Sequence, residues 1–171
     1  MITTRWYWFG LLGCSALIAV AYFYFQKQLG LLPCPLCMFQ RACLAGVAFF
    51  CLLGILFRPK KVGSKVLALG ATVFSALGLG IAGRQVWLQH LPKDQVPECG
   101  PDLNFMLESF PLTETIQTVL SGSGECAEVL WRFAGLSMPE WMVVVFLVML
   151  GISLRLLFKK QRNYFSGALG R

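Results

Sequence analysis

Residues 31–41 read LLPCPLCMFQR. Cys34 and Cys37 stand three positions apart, flanked by Pro33 and separated by Pro35, and Arg41 follows four residues after the second cysteine. A C-x-x-C pair is either half of a metal site or a redox dithiol. A zinc site needs two more soft or imidazole ligands at comparable spacing. The remaining candidates, Cys99 and Cys126, are isolated in sequence and carry no second C-x-x-C. The dithiol reading fits better, and no metal site is expected. Motifs of this kind lower the thiolate pKa, which suits thiol–disulfide exchange.

The flanking residues add to this chemistry. Pro35 fixes one backbone angle and disfavours helix at the residue before it, so Cys34 stays in a loop while Cys37 opens a helix. A helix beginning near Leu36 places Cys37 at its positive dipole end, with Arg41 on the same face one turn deeper. Both effects favour a Cys37 thiolate. The bland reading of Arg41 is a snorkelling cation that caps the helix end. The chemical reading is a fixed charge that stabilises the thiolate and an acceptor gaining negative charge beside it. Just below a membrane surface, such an acceptor has to be lipid-soluble, as a quinone is.

Five further cysteines complete the set of seven. Cys14, Cys43 and Cys51 fall in apolar runs and read as small buried hydrophobes. Cys99 and Cys126 fall in a long polar segment and suggest a second pair. Joined, they would close a loop of about 28 residues, stabilising by roughly 3–4 kcal/mol as a structural staple. The neighbouring Gly100, Pro101 and the run 121–124 (SGSG) would equally leave both sulfurs mobile enough for exchange. The single histidine, His90, falls where a third apolar run ends. It reads as an interfacial polar contact or as a donor level with Arg41.

These side chains need a scaffold, and composition identifies its solvent. The 171 residues are 57% hydrophobic and only 13% charged, against about 25% charged in a typical soluble domain. Four long runs, 6–25, 38–57, 66–88 and 141–158, are apolar with few charges and approach the ~20 residues that cross ~30 Å of hydrocarbon. The expected fold is an all-α membrane protein. It is a single four-transmembrane-helix domain over 1–171, with a short outer loop at 26–37 and a long one at 89–140. Basic residues collect at Arg5, at Arg58, Lys60, Lys61 and Lys65, and at Lys159, Lys160, Arg162 and Arg171. These places share one side of the membrane if all four runs span it, and the positive-inside rule makes that side cytoplasmic, with both termini. The eight acidic residues all lie between Asp94 and Glu140, on the other side. The net charge of +7 is therefore an orientation signal. Without a basic soluble module, nucleic acid is not an expected partner. Residues 11–14 (LLGC) resemble a lipoprotein cleavage box, but the apolar run continues well past Cys14, and an uncleaved first helix is expected. In the long loop, 112–120 has helix-like apolar spacing and reads as a short amphipathic piece lying on the bilayer.

The four spans, CPLCMFQR after the first outer loop, the loop cysteines, SGECAE around Cys126 and GLSMPEW before the last span together resemble the DsbB family of inner-membrane disulfide oxidases. The resemblance covers nearly the whole chain. It implies a multi-pass protein of the bacterial inner membrane that reoxidises a DsbA-like periplasmic thioredoxin-fold thiol oxidase and passes the electrons to ubiquinone or menaquinone. It further implies that Cys99 forms the mixed disulfide with that partner, and that Cys126 then attacks Cys34. Cys37 is released as a thiolate beside the quinone, with Arg41 and His90 as quinone contacts. Two alternatives remain. One is a vitamin-K-epoxide-reductase-like thiol–quinone enzyme, which usually places its C-x-x-C near the last helices. The other is a non-catalytic membrane protein whose cysteines hold metal.

Overall fold

The computed structural model describes residues 2–31, 33–57, 61–92, 111, 113, 119, 124–129 and 131–158. Cys99, most of the expected amphipathic piece at 112–120, residues 121–123, and the basic residues Arg58, Lys60, Lys159, Lys160, Arg162 and Arg171 lie outside the described residues.

Among the described residues, four long helices form the fold. Helix α1 runs Ile2–Val20 and continues as a π-helix over Ala21–Gln28. Helix α2 is Pro35–Phe57 and α3 is Lys61–Gln89. A single turn, α4, covers Gly124–Ala127, and the hairpin β1 (Arg132–Phe133) and β2 (Leu136–Ser137) leads into the last helix, α5 (Met138–Phe158). The four helices contain apolar stretches of 21 to 28 residues, long enough to cross a membrane. Helix α3 packs against α2 and α5, α1 packs against α2, and α1 barely touches α5.

The bundle wears its apolar side chains outward. Phe9, Leu12, Phe49, Leu56, Leu77, Leu147 and Val148 are exposed along the helices, a surface suited to lipid. Between helices the hydrophobic effect is therefore weak, and close packing must hold them together. Small residues supply it. The ring of Phe74 on α3 sits where a Cβ on Gly46 of α2 would be, and the ring of Phe50 on α2 does the same over Gly70 of α3. The two rings meet at 5.8 Å. Phe146 of α5 is fully buried against Gly78 of α3. Tyr7 of α1 lies over Gly54 of α2, and its hydroxyl is 3.2 Å from the Ser64 hydroxyl of α3. Cys14, Cys43 and Cys51 are buried in this apolar core.

Helix α2 starts one residue earlier than Leu36, at Pro35, where a missing N–H costs nothing because the first helical N–H groups have no partner within the helix. The two-residue hairpin loop, Ala134 and Gly135, has positive φ at both positions, 53° and 82°. That is the type I′ pattern whose twist matches antiparallel strands. The Glu140 side chain reaches back to accept from the Ser137 backbone N–H, one half of a capping box that starts α5.

Replacing Gly78 by alanine drives a methyl to within 2.2 Å of the buried Phe146 ring, whereas a Cβ at Gly80 meets nothing within 4 Å. Gly78→Ala should destabilise the bundle by about 1–3 kcal/mol, the usual cost of overpacking. Gly80→Ala should be neutral. Thermal unfolding in detergent compares the two, and equal midpoints would contradict this packing.

Candidate functional site

The cysteines are positioned by the start of α2. Cys34 is its N-cap: its carbonyl accepts from the Met38 N–H at 3.1 Å, and its sulfur accepts from the Cys37 N–H at 3.4 Å. The cap folds the Cys34 side chain back over the first turn, so the two sulfurs lie 2.7 Å apart. The third sulfur arrives from the long loop. Cys126 on α4 is buried beside Cys34, inside an apolar cluster with Leu36, Leu88 and Val119. Hydrogen bonds to Cys126 and then Cys37, together with burial, push the Cys34 thiol well above the ordinary thiol range.

A buried amide pair underlies the dithiol. Gln85 of α3 donates through Nε2 to both sulfurs, at 3.3 Å each. Its Oε1 accepts from Gln40 Nε2 of α2 at 2.7 Å. Both glutamines are only 3% exposed.

Arg41 is held from α1. Its guanidinium donates to the Ala21 carbonyl at 3.1 Å and to Gln26 Oε1 at 3.2 Å. Both acceptors belong to the π-helical stretch, a departure from regular helix that often marks functional positions. The wider turn continues past the helix end, where the Leu29 N–H reaches the Tyr24 carbonyl at 3.1 Å.

Cys37, Gln40, Arg41 and Gln85 line one side of a cavity of about 270 Å³, whose other walls come from α1, α5 and the hairpin. Those walls are apolar and aromatic. Trp131 and Phe133 stack with planes 6° apart, Phe25 meets Trp131 edge-on at 5.0 Å, and the Trp141 indole N–H donates to the Phe133 carbonyl at 3.1 Å. A slot of about 60 Å³ beside it is lined by Cys34, Cys37, Arg41, Gln85 and Glu128. A flat, apolar ligand with polar oxygens at one edge suits this lining: aromatic walls for its faces, and Arg41 and Gln85 for its oxygens.

The structure thus brings Cys34, Cys37, Cys126 and Arg41 together. His90 stands apart. Its Nδ1 is 2.9 Å from the Val86 carbonyl, and its ring lines a separate polar depression with Gln89, Arg132, Ser137 and Glu140. Cys99 lies outside the described residues. The sequence reading passed over Gln40 and Gln85. A neutral amide in an apolar span is a usable signal, because lipid offers it no hydrogen bond, but it does not reveal which helix holds the partner. The aromatic hairpin also went unnoticed, since two-residue strands carry no periodicity.

A membrane bundle with a dithiol and a third cysteine at one end, opening on an apolar cavity, is a thiol–disulfide oxidoreductase that works at the membrane. The family model described as Disulfide bond formation protein DsbB matches residues 3–156. Disulfide bond formation protein B of Nitrosococcus oceani is 50% identical over 154 residues, 90% of each chain. The same protein of Marinobacter nauticus is 50% identical over 155 residues, 88% of this chain and 91% of that one. That of Methylococcus capsulatus is 48% identical over 138 residues, 81% and 84%. The chain belongs to the DsbB family: it is a disulfide bond formation protein, a quinone-dependent protein-disulfide oxidoreductase of the bacterial inner membrane. This sets aside the vitamin-K-epoxide-reductase-like alternative.

The contact between Cys126 and Cys34 has a direct test. In a Cys37→Ser, Cys99→Ser variant these two sulfurs lose their other expected partners. Mild oxidation should then join Cys34 to Cys126 in one disulfide-linked peptide pair, read by mass spectrometry. Two free thiols after oxidation would contradict the contact.

Proposed function

We propose that the chain takes two electrons from a DsbA-like periplasmic thioredoxin-fold dithiol and delivers them to a membrane quinone, ubiquinone or menaquinone, through two cysteine pairs. A partner thiolate attacks the Cys99–Cys126 disulfide at Cys99, forming a mixed disulfide and releasing Cys126 as a thiolate. The partner's second thiol resolves the mixed disulfide at its own sulfur and leaves Cys99 reduced. The Cys126 thiolate attacks Cys34, and the Cys34–Cys37 bond breaks with its electron pair on Cys37. Cys99 then attacks Cys126, restores the loop disulfide and returns the second electron pair to Cys34. The observation that carries this reading is the convergence of Cys34, Cys37 and Cys126 at the start of α2, with Cys37 bordering an apolar cavity that Arg41 also lines.

The quinone supplies the two-electron oxidising power when bound. The chain's own residues do the rest. Trp131, Phe133 and Trp141 wall the apolar cavity. Cys37 borders that cavity, so its sulfur faces an acceptor held there. Arg41, held in place by the α1 acceptors, supplies positive charge and planar donors to an oxygen gaining charge. His90 lines a different depression, which supports assigning the quinone contact to Arg41.

If Arg41 only snorkels, lysine or glutamine in its place should cost little. If it holds a quinone oxygen, lysine should fall short because it lacks the fork of donors. A hydrogen bond to a charged group is worth ~1.5–3 kcal/mol, and ~1.4 kcal/mol is tenfold. Arg41→Gln should raise the Michaelis constant for quinone roughly ten- to a hundredfold, or lower the turnover number by that factor if the contact forms mainly as charge develops. Unchanged quinone kinetics in both variants, in inserted and folded protein, would contradict the assignment.

A further inference from the structure

The geometry points to Gln85 as a catalytic hydrogen-bond donor that receives the Cys37 thiolate, with Gln40 as the positioning residue that aims it. This rests on the cysteine relay proposed above.

When Cys126 attacks Cys34, the bond between Cys34 and Cys37 breaks and its electron pair departs on the Cys37 sulfur. No proton moves in that step, so the site must accommodate a full negative charge in an interior of Leu36, Leu88 and their neighbours. Such a charge is expensive there without a donor. Gln85 Nε2 stands 3.3 Å from Cys37 and equally 3.3 Å from Cys34. It can therefore contact the intact pair and strengthen its bond to Cys37 as charge appears. A donor in place before the charge forms needs no reorganisation at that moment.

An amide can present either end to a sulfur, and only the N–H end stabilises a thiolate. Gln40 engages one end. Its Nε2 donates to Gln85 Oε1 at 2.7 Å, engaging the carbonyl so that the N–H₂ faces the sulfurs. The same carbonyl is 3.7 Å from the Cys37 sulfur, a long contact beside the two at 3.3 Å. The two glutamines come from α2 and α3, which also pack through the reciprocal phenylalanine–glycine contacts. The aim of the donor is thereby tied to the packing of α2 against α3.

The test is the pH profile of Cys37 alkylation by iodoacetamide, in full-length detergent-purified protein with Cys34→Ser, resolved by peptide mass. Neither quinone nor protein partner is needed. Adding Gln85→Met, which keeps volume and removes the donor, should move the profile about one to two pH units to the alkaline side, a ten- to hundredfold fall in rate at pH values below both midpoints. Gln40→Leu should move it the same way by less. A purely structural amide pair would lower the unfolding midpoint and leave the profile in place, which would overturn the proposal. Should Gln85→Met fail to insert with Gln40 orphaned, the double variant Gln40→Leu, Gln85→Met removes both partners and must show the full shift. If the parent protein already titrates as an ordinary thiol, the Cys37 thiolate role itself fails. If the parent is reactive at neutral pH and the Gln85 variants match it, only the role of Gln85 fails.

Discussion

Lipid cannot hydrogen-bond a polar group, and the arrangement of this chain follows from that constraint. A polar side chain carried into the apolar layer depends on partners within the protein, on its own helix as for Thr72 and Ser153 or on another. Leaving a buried donor or acceptor unmet costs about 1–3 kcal/mol. Gln40, Gln85 and Arg41 meet the requirement in one region: the two amides pair with each other and with the dithiol, and Arg41 with the π-helical stretch of α1. The same contacts that satisfy these groups tie α1, α2 and α3 together at the end of the bundle where the cysteines emerge. Elsewhere the helices rely on rings laid over glycines.

That economy explains a division of labour among the sulfurs. Cys34, at the N-cap, is the sulfur beside Cys126. Cys37, three residues on, borders the cavity and the Gln85 donor. In the proposed relay one sulfur meets the loop cysteine and the other borders the apolar cavity, and the short C-x-x-C spacing joins them. Pro35 enforces the split by fixing where the helix starts. The hairpin completes the slot, and its type I′ turn and the Glu140 cap bring Trp131, Phe133 and Trp141 to the cavity wall.

Much of this was legible in the sequence because membrane solvation writes itself in long apolar runs and lopsided charge. The four-helix fold and the loop position of Cys34 followed from run lengths and from Pro35. The long-range partners did not. Nothing in the local pattern joins Gln40 to Gln85, or Arg41 to a carbonyl on α1, because the pairing depends on how helices are rotated against one another. His90 shows the converse limit: its place at the end of α3 matched expectation, yet its ring lines a polar depression rather than the cavity of Arg41. The π-helical stretch was likewise invisible: residues 21–25 ended the first apolar run and 26–28 fell in the expected short outer loop, whereas the helix continues to Gln28.

The central claim is that electrons pass from the long loop to the dithiol through Cys126. Quinone reduction driven by a reduced thioredoxin-fold dithiol protein, compared between the native chain and Cys126→Ser, tests it most directly. The same samples also report whether quinone still oxidises a pre-reduced Cys34–Cys37 pair. The account requires turnover with the protein substrate to vanish in Cys126→Ser while the pair remains oxidisable by quinone. Near-native turnover in that variant, accompanied only by a lower unfolding midpoint, would make the loop cysteine a structural staple and contradict the relay.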